Sequence, residues 1–130
     1  MQRARNILIV DDDDDFRVLL RQLLEEEGCS VRDAADGRMA LRLVHDRTPD
    51  LIVLDLMMPV MNGWDFYAEI QRTPSYVRIP VAILSGVARM RPFGTMHELH
   101  KPLDLPSLLG LLHAVAAPEE SRRAVRVRPS

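Results

Sequence analysis

Polar residues with the chemistry to bind a metal ion and a phosphoryl group follow short apolar runs of the sequence. Asp11 and Asp12 follow ILIV, Asp55 follows LIVL, and Ser85 follows VAIL. Three carboxylates brought together repel one another, by about 1 kcal/mol per pair at 4 Å even in water, so their convergence favours a bound cation. Carboxylate oxygens completed by water are ligands typical of Mg²⁺ rather than zinc.

Lys101 is the single lysine in a chain that has sixteen arginines. A hydroxyl and an ammonium group beside a magnesium ion suit an anion with a tetrahedral shell of oxygens. Phosphoryl transfer is catalysed mostly by positioning and charge neutralisation. The compact ammonium of lysine reaches one oxygen, whereas the guanidinium of arginine presents a planar fork. The pattern therefore indicates phosphoryl chemistry.

The strands that would position these residues are predicted from apolar runs. Residues 7–10, 51–54 and 81–84 are continuous and rich in β-branched side chains, which is typical of strands buried on both faces of a parallel sheet. Weaker strand patterns cover residues 30–34 and 96–100. Ligands of open α/β sheets bind outside the carboxyl ends of the strands, so we expect the polar residues to meet at that edge.

Helical patterns alternate with these strands. The first helix is predicted from an apolar stripe that ends at Gly28 and comprises Phe16, Leu19, Leu20, Leu23 and Leu24. The other predicted helices are residues 37–47 with Asp36 as N-cap, one beginning near Asn62 and Gly63, and one after Asp104 with Pro106 in its first turn. This alternation predicts a doubly wound α/β domain with helices on both faces of the sheet.

The length and composition of the chain indicate the number of domains and the expected cellular compartment. A chain of 130 residues fits one domain, which we place at residues 1–117, followed by a charged tail at 118–130 that is expected to be disordered. The charges of seventeen basic and nineteen acidic residues nearly cancel, so we expect no strong net electrostatic attraction to nucleic acid or to an anionic membrane. The single Cys29 excludes an internal disulfide, and no signal peptide is evident, so we expect a cytoplasmic setting.

Four segments carry a family resemblance: ILIVDDDDDFRVLLRQLLEEEG, PDLIVLDLMMPVMNGWDF, IPVAILSG and HKPLDLPSLL. Over residues 6–116 the chain resembles the receiver domains of bacterial two-component response regulators. The shared features are an acidic pair after strand one, an Asp followed four residues later by Pro and eight by Gly, a Ser after strand four, and Lys-Pro after strand five. The resemblance implies a flavodoxin-like, five-stranded parallel sheet with strand order 2-1-3-4-5.

The resemblance also implies a role for each polar residue. Asp55 would be the phosphoacceptor, and Ser85 and Lys101 would contact phosphoryl oxygens. The implied ligands of Mg²⁺ are Asp12 directly, Asp11 mainly through water, Asp55, and the backbone carbonyl of Met57. The peptide bond between Lys101 and Pro102 would be cis.

The implied phosphodonor is a histidine kinase or a histidine phosphotransfer domain, and phosphorylation would switch the binding of a downstream protein. Val18 lies opposite the core stripe of the first helix, around which receivers meet their donor, so we expect Val18 to contact it. Neither nucleic acid nor a membrane is an expected partner.

The chain departs from the family between Ser85 and Lys101. The fifteen intervening residues are fewer than the family usually has, and Pro92 and Gly94 interrupt them, so the fourth helix is expected to be shortened or missing. Glu98 stands where the family tends to have an aromatic residue that rotates inward on phosphorylation. We therefore expect the signal to be read out on another surface, or the phosphoryl group to be passed on.

Two other functions stay open at the level of sequence. The segment ILIVDDD also fits the opening of haloacid dehalogenase-type phosphatases, with Asp11 as nucleophile and Asp13 as acid, although this leaves Asp55 unexplained. The second alternative is a receiver-like interaction module that is not phosphorylated. The assignment of the metal pair also depends on where the first strand ends, because a strand one residue longer would select Asp12 and Asp13 instead.

Overall fold

Five parallel strands form one sheet in the computed structural model, which describes residues 4–55, 62–85 and 96–100 together with Pro106 and Gly110. The strands are β1 (Asn6–Val10), β2 (Ser30–Ala34), β3 (Leu51–Asp55), β4 (Val81–Ser85) and β5 (Met96–His100). Their order is β2-β1-β3-β4-β5, and all neighbouring pairs are parallel. The predicted flavodoxin-like sheet with order 2-1-3-4-5 is confirmed.

Three described helices alternate with the strands as the apolar periodicity predicts: α1 (Asp14–Glu26), α2 (Gly37–Asp46) and α3 (Gly63–Arg72). The shortened fourth helix that we expect before β5 would fall in residues 86–95, outside the described residues. The charged tail at 118–130 also lies outside them. Of the last predicted helix, Pro106 and Gly110 are described, and both are helical.

The sheet separates two hydrophobic clusters, one on each face, because successive side chains of a strand point to opposite faces. Ile7 and Ile9 of β1 belong to the cluster that α1 covers. Leu8 and Val10 of the same strand belong to the cluster that α2 and α3 cover. The central strands β1 and β3 are buried along their whole length, which explains why residues 7–10 and 51–54 within them are continuously apolar rather than alternating.

Helix α1 buries a narrower stripe than the sequence predicts. Leu20 and Leu24 are buried against the sheet, and Phe16 and Leu23 pack partly against the same cluster. Leu19 is 54% exposed, so its assignment to the core stripe is wrong. Consecutive helical residues are rotated by about 100° from each other, which turns Leu19 away from the face that Leu20 presents to the sheet.

Each described helix begins with a side chain that accepts a hydrogen bond from a backbone N–H of the first turn. These caps are Asp13 with Phe16 at 3.1 Å, Asp36 with Met39 at 2.9 Å, and Asn62 with Asp65 at 3.0 Å. The predicted N-cap of the second helix at Asp36 is therefore confirmed. Helix α1 ends just before Gly28, whose φ of +88° lies in the left-handed region that glycine adopts without strain.

Candidate metal and phosphoryl site

Two carboxylates lie at the same edge of the sheet, one directly after a strand and the other at the end of the adjacent strand. Val10 of β1 and Leu54 of β3 are paired in register, so Asp11 leaves β1 beside Asp55 at the end of β3. Asp11 is fully buried, Asp55 is 8% exposed, and Asp12 lies exposed next to them. One carboxylate oxygen from each of these three residues lies within 4.8 Å of the other two. We call Asp11, Asp12 and Asp55 the acidic cluster.

Asp11 is held by hydrogen bonds from three directions. Its backbone N–H donates to the carbonyl of Ala34 on the neighbouring strand at 3.1 Å. Its carboxylate oxygen Oδ1 accepts from the backbone N–H of Asp13 at 2.9 Å. Its backbone carbonyl accepts from Nη1 of Arg17 at 2.8 Å. The carboxylate of Asp11 is therefore presented to the cluster in a defined orientation.

The end of β1 decides which aspartates lie in the cluster. The strand ends at Val10, so Asp11 and Asp12 are the residues that follow it. Asp13 is the N-cap of α1, and its carboxylate accepts from the backbone N–H of Phe16. The alternative pairing of Asp12 with Asp13, which requires a longer strand, is not the arrangement in the structure.

The backbone of Ser85 lies at the same sheet edge. Asp55 of β3 is paired with Leu84 of β4, so Ser85 is one residue beyond the level of Asp55. Ser85 is in turn paired with His100, the last residue of β5. The remaining predicted participants lie outside the described residues: Met57, Lys101 and Pro102.

The donor set of the acidic cluster fits Mg²⁺. All three groups offer carboxylate oxygens, and Mg²⁺ is usually bound through one or two carboxylates while it keeps several waters. The buried Asp11 and Asp55 form the inner wall of the site, and the exposed Asp12 lies on the side where water has access. A cation here would offset the mutual repulsion of the carboxylates.

Comparison with known proteins decides the family. Residues 7–113 match the family described as response regulator receiver domain. The chain belongs to this family. Protein PilG of Pseudomonas aeruginosa is 32% identical to this receiver over 114 residues, which cover 83% of this chain and 84% of PilG.

Solved structures agree with this receiver assignment. The chemotaxis response regulator CheY4 of Vibrio cholerae is 30% identical, with a TM-score of 0.77 over 87% of this chain and 99% of that one. The receiver domain of a signal transduction histidine kinase from Syntrophus aciditrophicus is 27% identical, with a TM-score of 0.77 over 86% of this chain and 89% of that one. Receiver domains are phosphoacceptor signalling domains of two-component systems that interact with histidine kinases, and this is the role of the present chain.

The phosphatase alternative finds less support in the receiver structure. The phosphatase hypothesis needs Asp13 as a general acid, but Asp13 caps α1. Among the described residues no helix is long and apolar enough to cross a membrane.

One arginine of the receiver was missed by sequence reasoning. Arg17 on α1 donates to the carbonyl of Asp11 and also contacts Asp33 and Asp14 through its other guanidinium nitrogens. Burial lowers the pKa of Arg17, but its hydrogen bonds to Asp33 and Asp14 and the charge attraction of these two carboxylates together outweigh burial, so the pKa lies above its ordinary value. The available sequence signal was the three-residue spacing from Asp14 to Arg17, which places the two on one side of a helix.

Proposed function

We propose that the chain accepts a phosphoryl group on Asp55 from the phosphohistidine of a histidine kinase or a histidine phosphotransfer domain, in a Mg²⁺-dependent reaction. The observation that carries this proposal is the acidic cluster, in which Asp55 lies with Asp11 and Asp12. Asp11 is fully buried and its Oδ1 accepts from Asp13, whereas Asp55 keeps some exposure at the end of β3. Asp55 is therefore the better placed nucleophile.

The proposed step is a direct displacement at phosphorus. A carboxylate oxygen of Asp55 forms a bond to phosphorus while the bond from phosphorus to the imidazole nitrogen breaks, and the electron pair leaves with the imidazole. The product is an acyl phosphate. A carboxylate nucleophile has no proton to lose when it attacks, so the proposed step requires positioning and charge neutralisation rather than a general base. In this proposal the chain catalyses only its own phosphorylation and dephosphorylation.

The residues that would hold Mg²⁺ are Asp11, Asp12, Asp55 and the backbone carbonyl of Met57. When bound, the ion would neutralise phosphoryl oxygens and offset repulsion between the incoming phosphoryl group and the carboxylates. The fixed orientation of Asp11 supports this assignment, since a metal ligand loses less conformational freedom when its carboxylate is already ordered.

Ser85 and Lys101 complete the proposed site. Ser85 would donate its hydroxyl to one phosphoryl oxygen, and the backbone position of Ser85 one residue beyond the Asp55–Leu84 pair supports this. Lys101 would pair with another oxygen. It directly follows β5, the neighbour of β4 in the sheet. The serine hydroxyl would then donate a hydrogen bond to the phosphoryl group, and the lysine ammonium would offset part of its negative charge.

The proposed output differs from the usual response on the fourth helix and the adjoining strand. Glu98 occupies the position where receivers tend to have an aromatic residue, and its backbone in β5 is paired with Ile83 of β4. A charged carboxylate is costly to bury, so Glu98 cannot turn inward as an aromatic ring would. We infer that a downstream protein reads another surface, or that the phosphoryl group is passed on. A phosphorylation-dependent dimer through the usual fourth-helix face would contradict this.

The proposed setting is the cytoplasm, where Mg²⁺ and a phosphohistidine donor would both be available. The single Cys29 is buried and free, which is compatible with a reducing environment. The nearly balanced charge of the chain gives no reason to include nucleic acid or a membrane among the partners.

Incubation of the chain with acetyl phosphate tests the function without a cognate kinase. Intact-mass measurement should show one added phosphoryl group that requires Mg²⁺ and is lost in Asp55→Asn. Absence of uptake in the folded wild-type chain would favour an interaction module that is not phosphorylated. Continuous turnover that survives Asp55→Asn but not Asp11→Asn would favour a phosphatase.

A further inference from the structure

The Arg17 guanidinium connects three parts of the receiver around the acidic cluster. Nη1 donates to the backbone carbonyl of Asp11 at 2.8 Å, Nε donates to Asp33 of β2 at 3.0 Å, and Nη2 donates to Asp14 of α1 at 2.6 Å. The Arg17 side chain is 15% exposed. Its fork of N–H donors therefore joins the end of β1, the neighbouring strand β2 and the first turn of α1 in a largely enclosed position.

The bond to the Asp11 carbonyl has a direct consequence for Asp12. A peptide group is planar, so the orientation of the Asp11 carbonyl also sets the orientation of the N–H of Asp12. The other side of Asp11 is fixed by the bond from its own N–H to Ala34. Arg17 therefore restrains the peptide that joins the buried and the exposed carboxylates of the acidic cluster.

Asp33 keeps the guanidinium of Arg17 in place. Its Oδ2 accepts from Nε of Arg17 at 3.0 Å, and its Oδ1 accepts from Nη1 of Arg21 at 3.2 Å. Hydrogen bonds between charged groups are stronger than neutral ones, and Asp33 at Nε together with Asp14 at Nη2 holds the Arg17 guanidinium at two points. Arg17 is thus anchored independently of the acidic cluster that it contacts.

We propose that Arg17 is a positioning residue for the Mg²⁺ site, because it holds the Asp11–Asp12 peptide in the orientation that directs both carboxylates toward Asp55. This rests on the proposed function, since it assigns a role at the same site. Arg17 touches neither the metal nor the phosphoryl group in this account. It lowers the conformational cost of metal binding, in the way that groups behind metal ligands commonly do.

Titration of the full chain with Mg²⁺ by calorimetry tests the proposal. Arg17→Met, which keeps much of the apolar stem, should raise the Mg²⁺ dissociation constant about tenfold, the lower end of the range for groups that orient metal ligands. Arg17→Lys should raise it less, because an ammonium can still donate to the Asp11 carbonyl but cannot span to Asp33 and Asp14 at once.

Arg32→Met is the matched control for loss of a structural arginine. Arg32 lies on β2 and, like Arg17, donates to backbone carbonyl groups, those of Leu43 and Arg47, both at 2.7 Å. Through these bonds it contacts no member of the acidic cluster. Arg32→Met should leave the Mg²⁺ dissociation constant unchanged. With acetyl phosphate, Arg17→Met should need more Mg²⁺ for half-maximal phosphorylation. Its rate at saturating Mg²⁺ should be close to that of the wild type. General destabilisation would not raise the Mg²⁺ requirement while it leaves the saturated rate unchanged.

Two results would overturn the proposal: wild-type Mg²⁺ affinity in folded Arg17→Met, or equal weakening in Arg17→Met and Arg32→Met. If Arg17→Met does not fold, Arg17→Lys carries the test, and wild-type affinity in that variant overturns it. A wild-type chain that binds no Mg²⁺ would instead overturn the proposed function itself, so the two failures are distinguishable.

Discussion

The backbone N–H of Asp13 donates to Oδ1 of Asp11 at 2.9 Å. The carboxylate of Asp13 at the same time accepts from the backbone N–H of Phe16 at 3.1 Å, as the N-cap of α1. One residue thus joins the start of the first helix to the buried carboxylate of the acidic cluster. The five aspartates at residues 11–15 therefore divide into two that belong to the cluster and three that begin the helix.

Replacement of Asp13 separates these two roles. Asp13→Ala removes the N-cap and should lower the free energy of unfolding by about 1 kcal/mol, measured by urea denaturation. It keeps the backbone N–H that bonds Asp11, so the Mg²⁺ affinity should hardly change. Asp11→Ala is the contrasting variant and should abolish Mg²⁺ binding. A folded Asp13→Ala chain that no longer binds Mg²⁺ would show that the metal pair has been assigned wrongly.

Arg32 is predicted to stabilise the end of α2. Its guanidinium, on β2, donates to the carbonyl of Leu43 in the last turn of α2 and to the carbonyl of Arg47, the C-cap residue, beyond which α2 does not continue. Arg32→Met should lower the free energy of unfolding by about 1–3 kcal/mol, since hydrogen bonds of a charged donor are lost. Arg47→Met is the control, because Arg47 takes part through its backbone carbonyl. Equal stability of the two variants in urea would contradict this role.

Val18 is predicted to contact the phosphodonor protein. It is 55% exposed on α1, and its neighbour Leu19 is 54% exposed, so the two side chains form a small apolar patch on the outer surface of the helix. Val18→Asp should reduce the kcat/KM of phosphotransfer from a cognate kinase about tenfold, or ~1.4 kcal/mol, because a charge would be desolvated in the interface.

Two comparisons control the Val18 experiment. Phosphorylation by acetyl phosphate should be unchanged in Val18→Asp, since a small donor does not need the helix surface. Met39→Asp is the matched variant, because Met39 is also an exposed apolar residue, at 44%, but lies on α2. If both aspartate variants slow the kinase reaction alike, Val18 has no specific role in docking.

The acyl phosphate is predicted to be long-lived in the isolated chain. Met57 and Val87 lie two residues after Asp55 and Ser85, and both are apolar, so neither side chain can orient an attacking water. Decay followed by intact mass should take minutes or longer. Met57→Asn should shorten the lifetime because its amide can hydrogen-bond water, whereas Met58→Asn should not. Loss of the wild-type phosphoryl group within seconds would contradict the prediction.

The strands, the described helices and the α/β class were predictable from local patterns, whereas the strand order 2-1-3-4-5 followed from the resemblance to receiver domains. Continuous apolar runs identified the buried strands, and the weaker patterns at 30–34 and 96–100 coincide with β2 and β5. The carboxyl ends of parallel strands meet at one edge, which is why the sequence predicts the convergence of Asp11 and Asp55. The predictions of the elements and of this convergence rest on periodicity and topology alone.

Features that depend on tertiary contacts were not predictable in the same way. The bond from Arg17 to the Asp11 carbonyl depends on the angle at which α1 packs on the sheet, and so does the exposure of Leu19. The hydrogen bond between Tyr76 Oη and His45 Nδ1, at 2.6 Å, joins α2 to the segment after α3. Spacing in the sequence carries little information about such pairs, because residues 31 positions apart meet only after the helices have packed.

The central claim is that Asp55 receives the phosphoryl group, and chemical trapping of the acyl phosphate tests it most directly. The chain is incubated with acetyl phosphate and Mg²⁺, reduced with borohydride, digested, and mapped by mass spectrometry. Reduction of an aspartyl phosphate converts the residue to homoserine. We predict homoserine at position 55 and only when Mg²⁺ is present. Homoserine at position 11, or no conversion in a chain that binds Mg²⁺, would contradict the claim.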